Sequence, residues 1–237
     1  EIAKEKLGIV KQGVPLCTTV SNVELLPIFE AHTKALNSSF YKVYPDDIVV
    51  QEYGNVTSFT YKNESYKISM IGVHQPVNAS LAIEIIQQLN ALNLADVSLQ
   101  SVQVGLLNTY WPGRLERFGN VILDGAHNVE AALVLKESME TYFKDHKIKV
   151  LYTSMADKEY YDIIKIIEKF AHEIYFTSFD YPRCETTENL YQVCEFDKKF
   201  IRENAVEALH ELKQLKKNEI LLVTGSLYFI SYIRKAL

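Results

Sequence analysis

A short apolar strand that turns into a helix through Asp-Gly constrains this chain more than any other stretch. Val121-Ile122-Leu123 runs into Asp124-Gly125-Ala126-His127-Asn128, and the pattern then switches at once to helical period. Ala131, Leu135, Ser138, Met139 and Tyr142 fall on one face of a helix over residues 128–143. A buried strand ending in this way presents a carboxylate and free helix N–H groups at the carboxyl edge of a sheet. That is where α/β proteins bind nucleotides. Taken alone the turn also admits a plainer reading, in which Asp124 is an N-cap or turn residue.

The surrounding residues continue the strand–helix alternation. Strands are expected at 115–118, 121–123, 149–153, 174–178 and 220–224, and helices at 158–170, 187–194, 205–216 and 227–235. Gly119-Asn120 fits a tight hairpin between the first two strands. The remaining units read as βαβ, which gives a mainly parallel, Rossmann-like sheet covered on both faces.

The first part of the chain is built differently. Residues 1–8 read as a helix tail stopped by Gly8, and 14–20 as a strand. Ser21-Asn22-Val23-Glu24 has the form of a capping box for a helix over 22–36, with Pro27 near its first turn. Residues 40–44 with 48–53, then 56–61 and 66–71, read as an antiparallel meander turning at Gly54-Asn55 and Lys62-Asn63-Glu64. A helix from 74 to 92 would turn Leu81, Ile85 and Leu89 inward, and another helix covers 98–107. The expected boundary lies at 108–113, dividing the chain into domains 1–108 and 109–237.

Composition removes several classes of function. With 237 residues and 48% hydrophobic content there is ample material for a sizeable core. A net charge of −5 with no basic block argues against a nucleic-acid partner. The longest apolar run, 220–233, is broken by Thr224, Gly225 and Ser226, too short and interrupted for a bilayer. Cys17, Cys184 and Cys194 form no C-x-x-C pair, which fits a reducing cytosol, and the histidines form no zinc signature. The chain opens without Met and inside a helix, so it reads as part of a longer protein.

Trp111-Pro112-Gly113-Arg114-Leu115-Glu116, just before the Asp-Gly strand, changes what the strand means. The two segments in this order and spacing resemble the start of the C-terminal domain of folylpolyglutamate synthases and their bifunctional dihydrofolate synthase relatives, cousins of the Mur ligases of cell-wall synthesis. Other segments are similar to the same family: Ile2-Ala3-Lys4-Glu5-Lys6-Leu7-Gly8-Ile9-Val10-Lys11, His74-Gln75-Pro76-Val77-Asn78-Ala79, Met155-Ala156-Asp157-Lys158-Glu159, Tyr181-Pro182-Arg183 and Val223-Thr224-Gly225-Ser226-Leu227-Tyr228. The resemblance implies that residues 1–108 are the later part of the central ATPase domain and 109–237 the glutamate-ligase domain.

It also implies an ATP-dependent ligase, cytoplasmic and monomeric, that joins L-glutamate to a folate or dihydropteroate through an acyl phosphate. Arg114 would clamp the ATP phosphates, since a guanidinium grips phosphate oxygens bidentately; a salt bridge to Glu116 or Asp124 is its plainer alternative. Asp124 would accept the ribose hydroxyls, and His127 would orient the nucleotide or else serve only structure. Asn78 would pair with adenine N6 and N7, or cap its helix. Lys6 matches a lysine that is carbamylated in the family, where the new anion helps hold Mg²⁺; otherwise it is a solvated lysine. Lys158 and Ser226 would hold the carboxylates of the incoming glutamate, against the alternatives of a solvated helix face and an N-cap.

The chain departs from the family in lacking a G-x-x-x-x-G-K-[ST] phosphate loop. The family carries that loop, its metal ligands and most folate contacts ahead of the residues matching Ile2, so this piece is expected to be inactive alone. A Mur ligase acting on a UDP-muramoyl peptide and a non-catalytic nucleotide-binding module are the competing readings.

Overall fold

A computed structural model of the chain describes residues 2–237. It divides into two compact units, one running to Ser69 and resuming over His74–Thr109, the other made of Met70–Val73 and Tyr110–Leu237.

The first unit begins with helix α1 (Ile2–Leu7), strand β1 (Leu16–Thr18), helix α2 (Leu26–Ala35) and strand β2 (Phe40–Lys42). Two expectations fail here for identifiable reasons. The Ser21 capping box does not form: Asn22 Oδ1 accepts from Glu24 N at 2.8 Å and closes a local turn instead. Helix α2 starts at Leu26 because Pro27, with no N–H to give, belongs in a first turn. The 40–44 run, in turn, leaves the meander and pairs parallel with β1, Leu16 opposite Phe40. Pro45 then opens a one-turn 3-10 helix, Pro45–Asp47, that redirects the chain.

The meander itself is β3 (Ile48–Glu52), β4 (Thr57–Tyr61) and β5 (Glu64–Ile68), antiparallel throughout. Lys62 and Asn63 make the second turn in the left-handed region, φ +50° and +64°. Helices α3 (Gln75–Ala91) and α4 (Leu99–Asn108) follow, α4 capped by Ser98 accepting from Ser101 N. Phe59, Tyr61, Tyr66 and Ile68 form a core with Val43, Ala79 and Ile83.

The inward face of α3 is not the expected one. Ala79, Ser80, Ile83 and Glu84 are buried, Ile85 is 42% exposed, and Leu81 and Leu89 are only partly covered. Apolar residues surround this helix on nearly every side, so their period cannot choose a face. Glu84 does: its carboxylate accepts from Tyr61 Oη at 3.0 Å, Lys62 Nζ at 2.6 Å and Gln88 Nε2 at 2.8 Å.

The second unit contains β6 (Glu116–Phe118), β7 (Val121–Asp124), α5 (Val129–Tyr142), β8 (Lys147–Tyr152), α6 (Tyr160–Ile167), β9 (Glu173–Ser178), α7 (Thr187–Val193), β10 (Lys199–Asn204), α8 (Ala205–Leu212), β11 (Glu219–Thr224) and α9 (Leu227–Arg234). Its six strands lie in the order β10-β9-β8-β11-β7-β6, parallel except for the β6–β7 hairpin. One face packs on α5, α6 and α7 through Leu135, Met139, Ile163, Ile167 and Leu190. The other packs on α8 and α9 through Leu209, Phe229 and Ile233. On α5, Ala132 takes the buried position rather than Ala131, with Leu135, Ser138 and Met139 inward as expected. Strand β10 was not expected at all, and α6 begins at Tyr160 rather than Lys158.

Among the described residues no helix is long and apolar enough to cross a membrane. The three cysteines are free thiols.

Candidate functional site

Three adjacent parallel strands bring their carboxyl ends into one row: Asp124 of β7 lies beside Thr224 of β11, which lies beside Tyr152 of β8. The chain goes from β7 to β8 one place further on and later returns to fill the gap with β11, so the strand order switches here, the usual position for a ligand crevice in such sheets.

Arg114 reaches this row from a loop held at several points. Gly113 (φ +69°) and Leu115 (φ +45°) both occupy the left-handed region. Gly113 N donates to Glu116 Oε2 at 2.8 Å, Leu115 N donates to Asp124 Oδ2 at 3.0 Å, and Gly125 N donates to Gly113 O at 3.0 Å. Leu115 is 3% exposed, so an apolar side chain anchors the strained residue. Arg114 stands between the two left-handed residues with its side chain exposed and, among the described residues, in no ion pair. The salt bridge to Glu116 that the sequence allowed is taken by Arg234 instead, Nε to Oε1 2.9 Å.

Asp124 is 8% exposed and accepts one backbone hydrogen bond on each oxygen, from Leu115 N and from Ala126 N at 2.9 Å. Each oxygen keeps a second lone pair for a ligand. Burial pushes its carboxyl up from the ordinary aspartate range, against those two hydrogen bonds and the electrostatic pull of Arg114 and His127. A nearby cation or donor therefore favours the ionised form.

His127 is half-buried, with Nδ1 2.9 Å from Gly125 O. A carbonyl only accepts, so this contact sets the Nδ1–H tautomer of the neutral ring and leaves Nε2 as an acceptor. Asn128 closes the segment as N-cap of α5, Oδ1 accepting from Ala131 N at 2.8 Å.

Ser226, 3% exposed, follows β11 and caps α9 by accepting from Tyr228 N at 3.2 Å. Its hydroxyl proton remains available. Lys158 lies in the turn after β8, before α6, and not on a solvated helix face. Its ammonium is 4.0 Å from Asp157, whose other oxygen is 3.4 Å from Arg183. Thr224 Oγ1 is buried with no hydrogen-bond partner among the described residues.

Lys6 and Asn78 belong to the first unit. Lys6 is exposed on α1; Asn78 is exposed in the first turn of α3, where its N–H donates to His74 O at 3.1 Å. Among the described residues, no group of three His, Cys, Asp or Glu is gathered for a metal, so the donor set here does not by itself make a Mg²⁺ site.

Sequence reasoning missed Arg234 and Tyr110, which converge on Glu116. It also missed an aromatic stack in which half-buried Tyr181 lies on exposed Tyr228, with centroids 4.7 Å apart. Tyr110 is six residues from its partner, but Arg234 is 118 positions away, so no local pattern marks it.

The fold has known relatives. Residues 113–227 match the family described as Mur ligase, glutamate ligase domain. Over its full length the chain is 38% identical to the dihydrofolate synthase/folylpolyglutamate synthase of Bacillus subtilis, covering 58% of that protein. It is 24% identical to the folylpolyglutamate synthase of Lacticaseibacillus casei, covering 57% of it. The crystal structure of Thermotoga maritima folylpolyglutamate synthase superposes with a TM-score of 0.83 at 25% identity, over 99% of this chain and 56% of that one. The Mycobacterium tuberculosis folylpolyglutamate synthase, solved in complex with ADP and AMPPCP, shares the fold with a TM-score of 0.80. The chain thus spans a little over half the length of the relatives it matches.

Proposed function

We propose, from the match of residues 113–227 to the Mur ligase glutamate-ligase domain and the similarity of the whole chain to a dihydrofolate synthase/folylpolyglutamate synthase, that it serves an ATP-dependent ligase adding L-glutamate to a folate or dihydropteroate. The observation that carries this reading is Arg114: an exposed guanidinium in no ion pair among the described residues, on a loop fixed from both sides at a strand-order switch. The first unit is read as the later part of an ATPase domain and the second as the glutamate-ligase domain. The activity is assigned to a protein that also carries a phosphate loop, which this sequence lacks.

In the proposed reaction the pteroate or folate carboxylate takes the γ-phosphoryl group of ATP, and ADP leaves. The glutamate amine then attacks the acyl carbon, the amide bond forms, phosphate leaves and the amine gives up a proton. Arg114 offsets charge on the phosphoryl group during transfer. Asp124 uses its spare lone pairs on ribose hydroxyls, His127 Nε2 orients the nucleotide, and Asn78 reads the adenine edge. Lys158 and the Ser226 hydroxyl hold the glutamate carboxylates. Mg²⁺, when bound, would screen the phosphates; Lys6, as a carbamate, would supply one ligand, with the remaining ligands from beyond the described residues.

The test is phosphate release by the full-length gene product given ATP, Mg²⁺ and L-glutamate, comparing tetrahydrofolate, dihydropteroate and a UDP-muramoyl substrate. Folate- or pteroate-dependent release that falls at least about 100-fold in Arg114→Ala is expected. Release only with the muramoyl substrate would move the protein to cell-wall chemistry. No release with any acceptor would leave a nucleotide-binding module.

A further inference from the structure

Helix α9 meets the arginine loop along one face. Leu227, Ile230 and Arg234 are spaced i, i+3 and i+7, which places them in one stripe. Each meets a different part of the loop or the strand end it is tied to. A side chain on Gly125 would begin 2.2 Å from Leu227 Cδ2, and one on Gly113 would begin 3.0 Å from Ile230 Cγ2. Arg234 Nε donates to both oxygens of Glu116, at 2.9 and 3.1 Å, and its Nη2 reaches Tyr110 Oη at 3.0 Å. Tyr110 Oη in turn donates to Glu116 Oε1. The Glu116 side chain is only 2% exposed, so every partner it has is a protein group, and one of them is the backbone N–H of Gly113, the residue before Arg114.

From this geometry we infer that Arg234 and Glu116 are positioning residues, which set the direction of the Arg114 guanidinium through the backbone of Gly113. Glu116 is the hinge pin of the loop and Arg234 holds the pin. The inference rests on the proposed role of Arg114 but concerns residues that touch no nucleotide. Because Ser226 caps the start of α9 and Arg234 at its far end grips Glu116, the helix also ties the end of β11 to the loop beside β7. A displacement of the guanidinium by about 1 Å is enough to slow a positioned reaction by roughly 100-fold.

A double-mutant cycle on the full-length protein separates positioning from general support. Arg234→Ala is expected to lower kcat by about tenfold or more, because the oriented state becomes a minor one. In an Arg114→Ala background the same change should cost less than about twofold, because there is no guanidinium left to misplace. Arg234→Lys, which keeps the charge but loses the two-oxygen grip, should recover part of the rate. A penalty that persists undiminished in the Arg114→Ala background would overturn the inference, as would an Arg234→Ala enzyme as fast as its parent.

Hydrogen exchange on the same variants, and on Glu116→Gln should Arg234→Ala fail to fold, gives a readout independent of turnover. The amides of Gly113, Leu115 and Gly125 are expected to lose protection while those of β8 and β9 keep theirs. Unchanged exchange at those three amides would equally overturn the inference. A parent protein without ligase activity would sink the functional reading, and the exchange experiment would still decide whether Arg234 and Glu116 hold the loop.

Discussion

The carbonyl oxygen of Thr153 lies 1.8 Å from the point where a side chain on Gly225 would begin. Gly225 also has φ +117°, where L-residues are strained. The obstacle is backbone at the end of β8, so nothing flexible can move aside. Gly225→Ala is therefore expected to destabilise the second unit by about 3 kcal/mol or more. Gly119→Ala is the control: φ is +60° but no atom lies within 4 Å, and the cost should be about 1 kcal/mol. Urea denaturation of both variants checks the contrast; equal costs would contradict it.

Glu116 makes acid stability readable. Burial pushes its carboxyl up, but hydrogen bonds from Tyr110, Gly113 N and Arg234, with the Arg234 charge, outweigh that and hold it below the usual glutamate range. A carboxyl lowered on folding contributes stability above its unfolded value, about 4.3, and that contribution disappears as pH falls through the folded value. The difference in unfolding free energy between parent and Glu116→Gln should accordingly be largest near neutrality and shrink below about pH 4. A constant difference across that range would show that the charge is not what matters.

Glu84 tests the first unit. It is 3% exposed and accepts from Tyr61, Lys62 and Gln88. Glu84→Ala leaves the buried Tyr61 hydroxyl without its acceptor and should cost about 3 kcal/mol. Glu84→Gln keeps the shape and one acceptor and should cost less. Far-UV melting would sink this account if Ala were the milder of the two.

Asn128 caps α5 with a 2.8 Å bond from Ala131 N. Replacing it with Ala should cost about 1 kcal/mol, and Asp should restore most of the loss. Chemical denaturation of the three forms gives the comparison, and an Asp variant no better than Ala would argue that Asn128 acts otherwise.

What the sequence disclosed followed how locally each element is determined. The β7–α5 unit was legible because Val121-Ile122-Leu123 can only be buried and the helical period begins immediately after it. Strand β10 was not, because Lys199, Arg202 and Glu203 are tolerated only where one side of a strand meets water, and an edge strand carries no apolar run. The start of α2 was misplaced because a favourable capping tetrad at Ser21 competes with a proline at Pro27, and the proline prevails. At the site, Arg114 and Asp124 stood out through their neighbours in sequence. Their supports did not, since the contact between Glu116 and Arg234 exists only once 118 residues have folded back.

The strand order has a consequence for how the protein is made. β11 follows every other strand of its sheet in the chain yet sits between β7 and β8. Until Thr224 has left the ribosome, β6–β7 and β8–β9–β10 can exist only as two separate ribbons, each with an unpaired edge of Leu- and Val-rich backbone facing the vacant place. Synthesis therefore passes through a long interval in which the nascent sheet is split at the place that β11 will fill. A chain stalled or cut before Glu219 would keep both edges bare, and would be a target for chaperones rather than a smaller version of the domain.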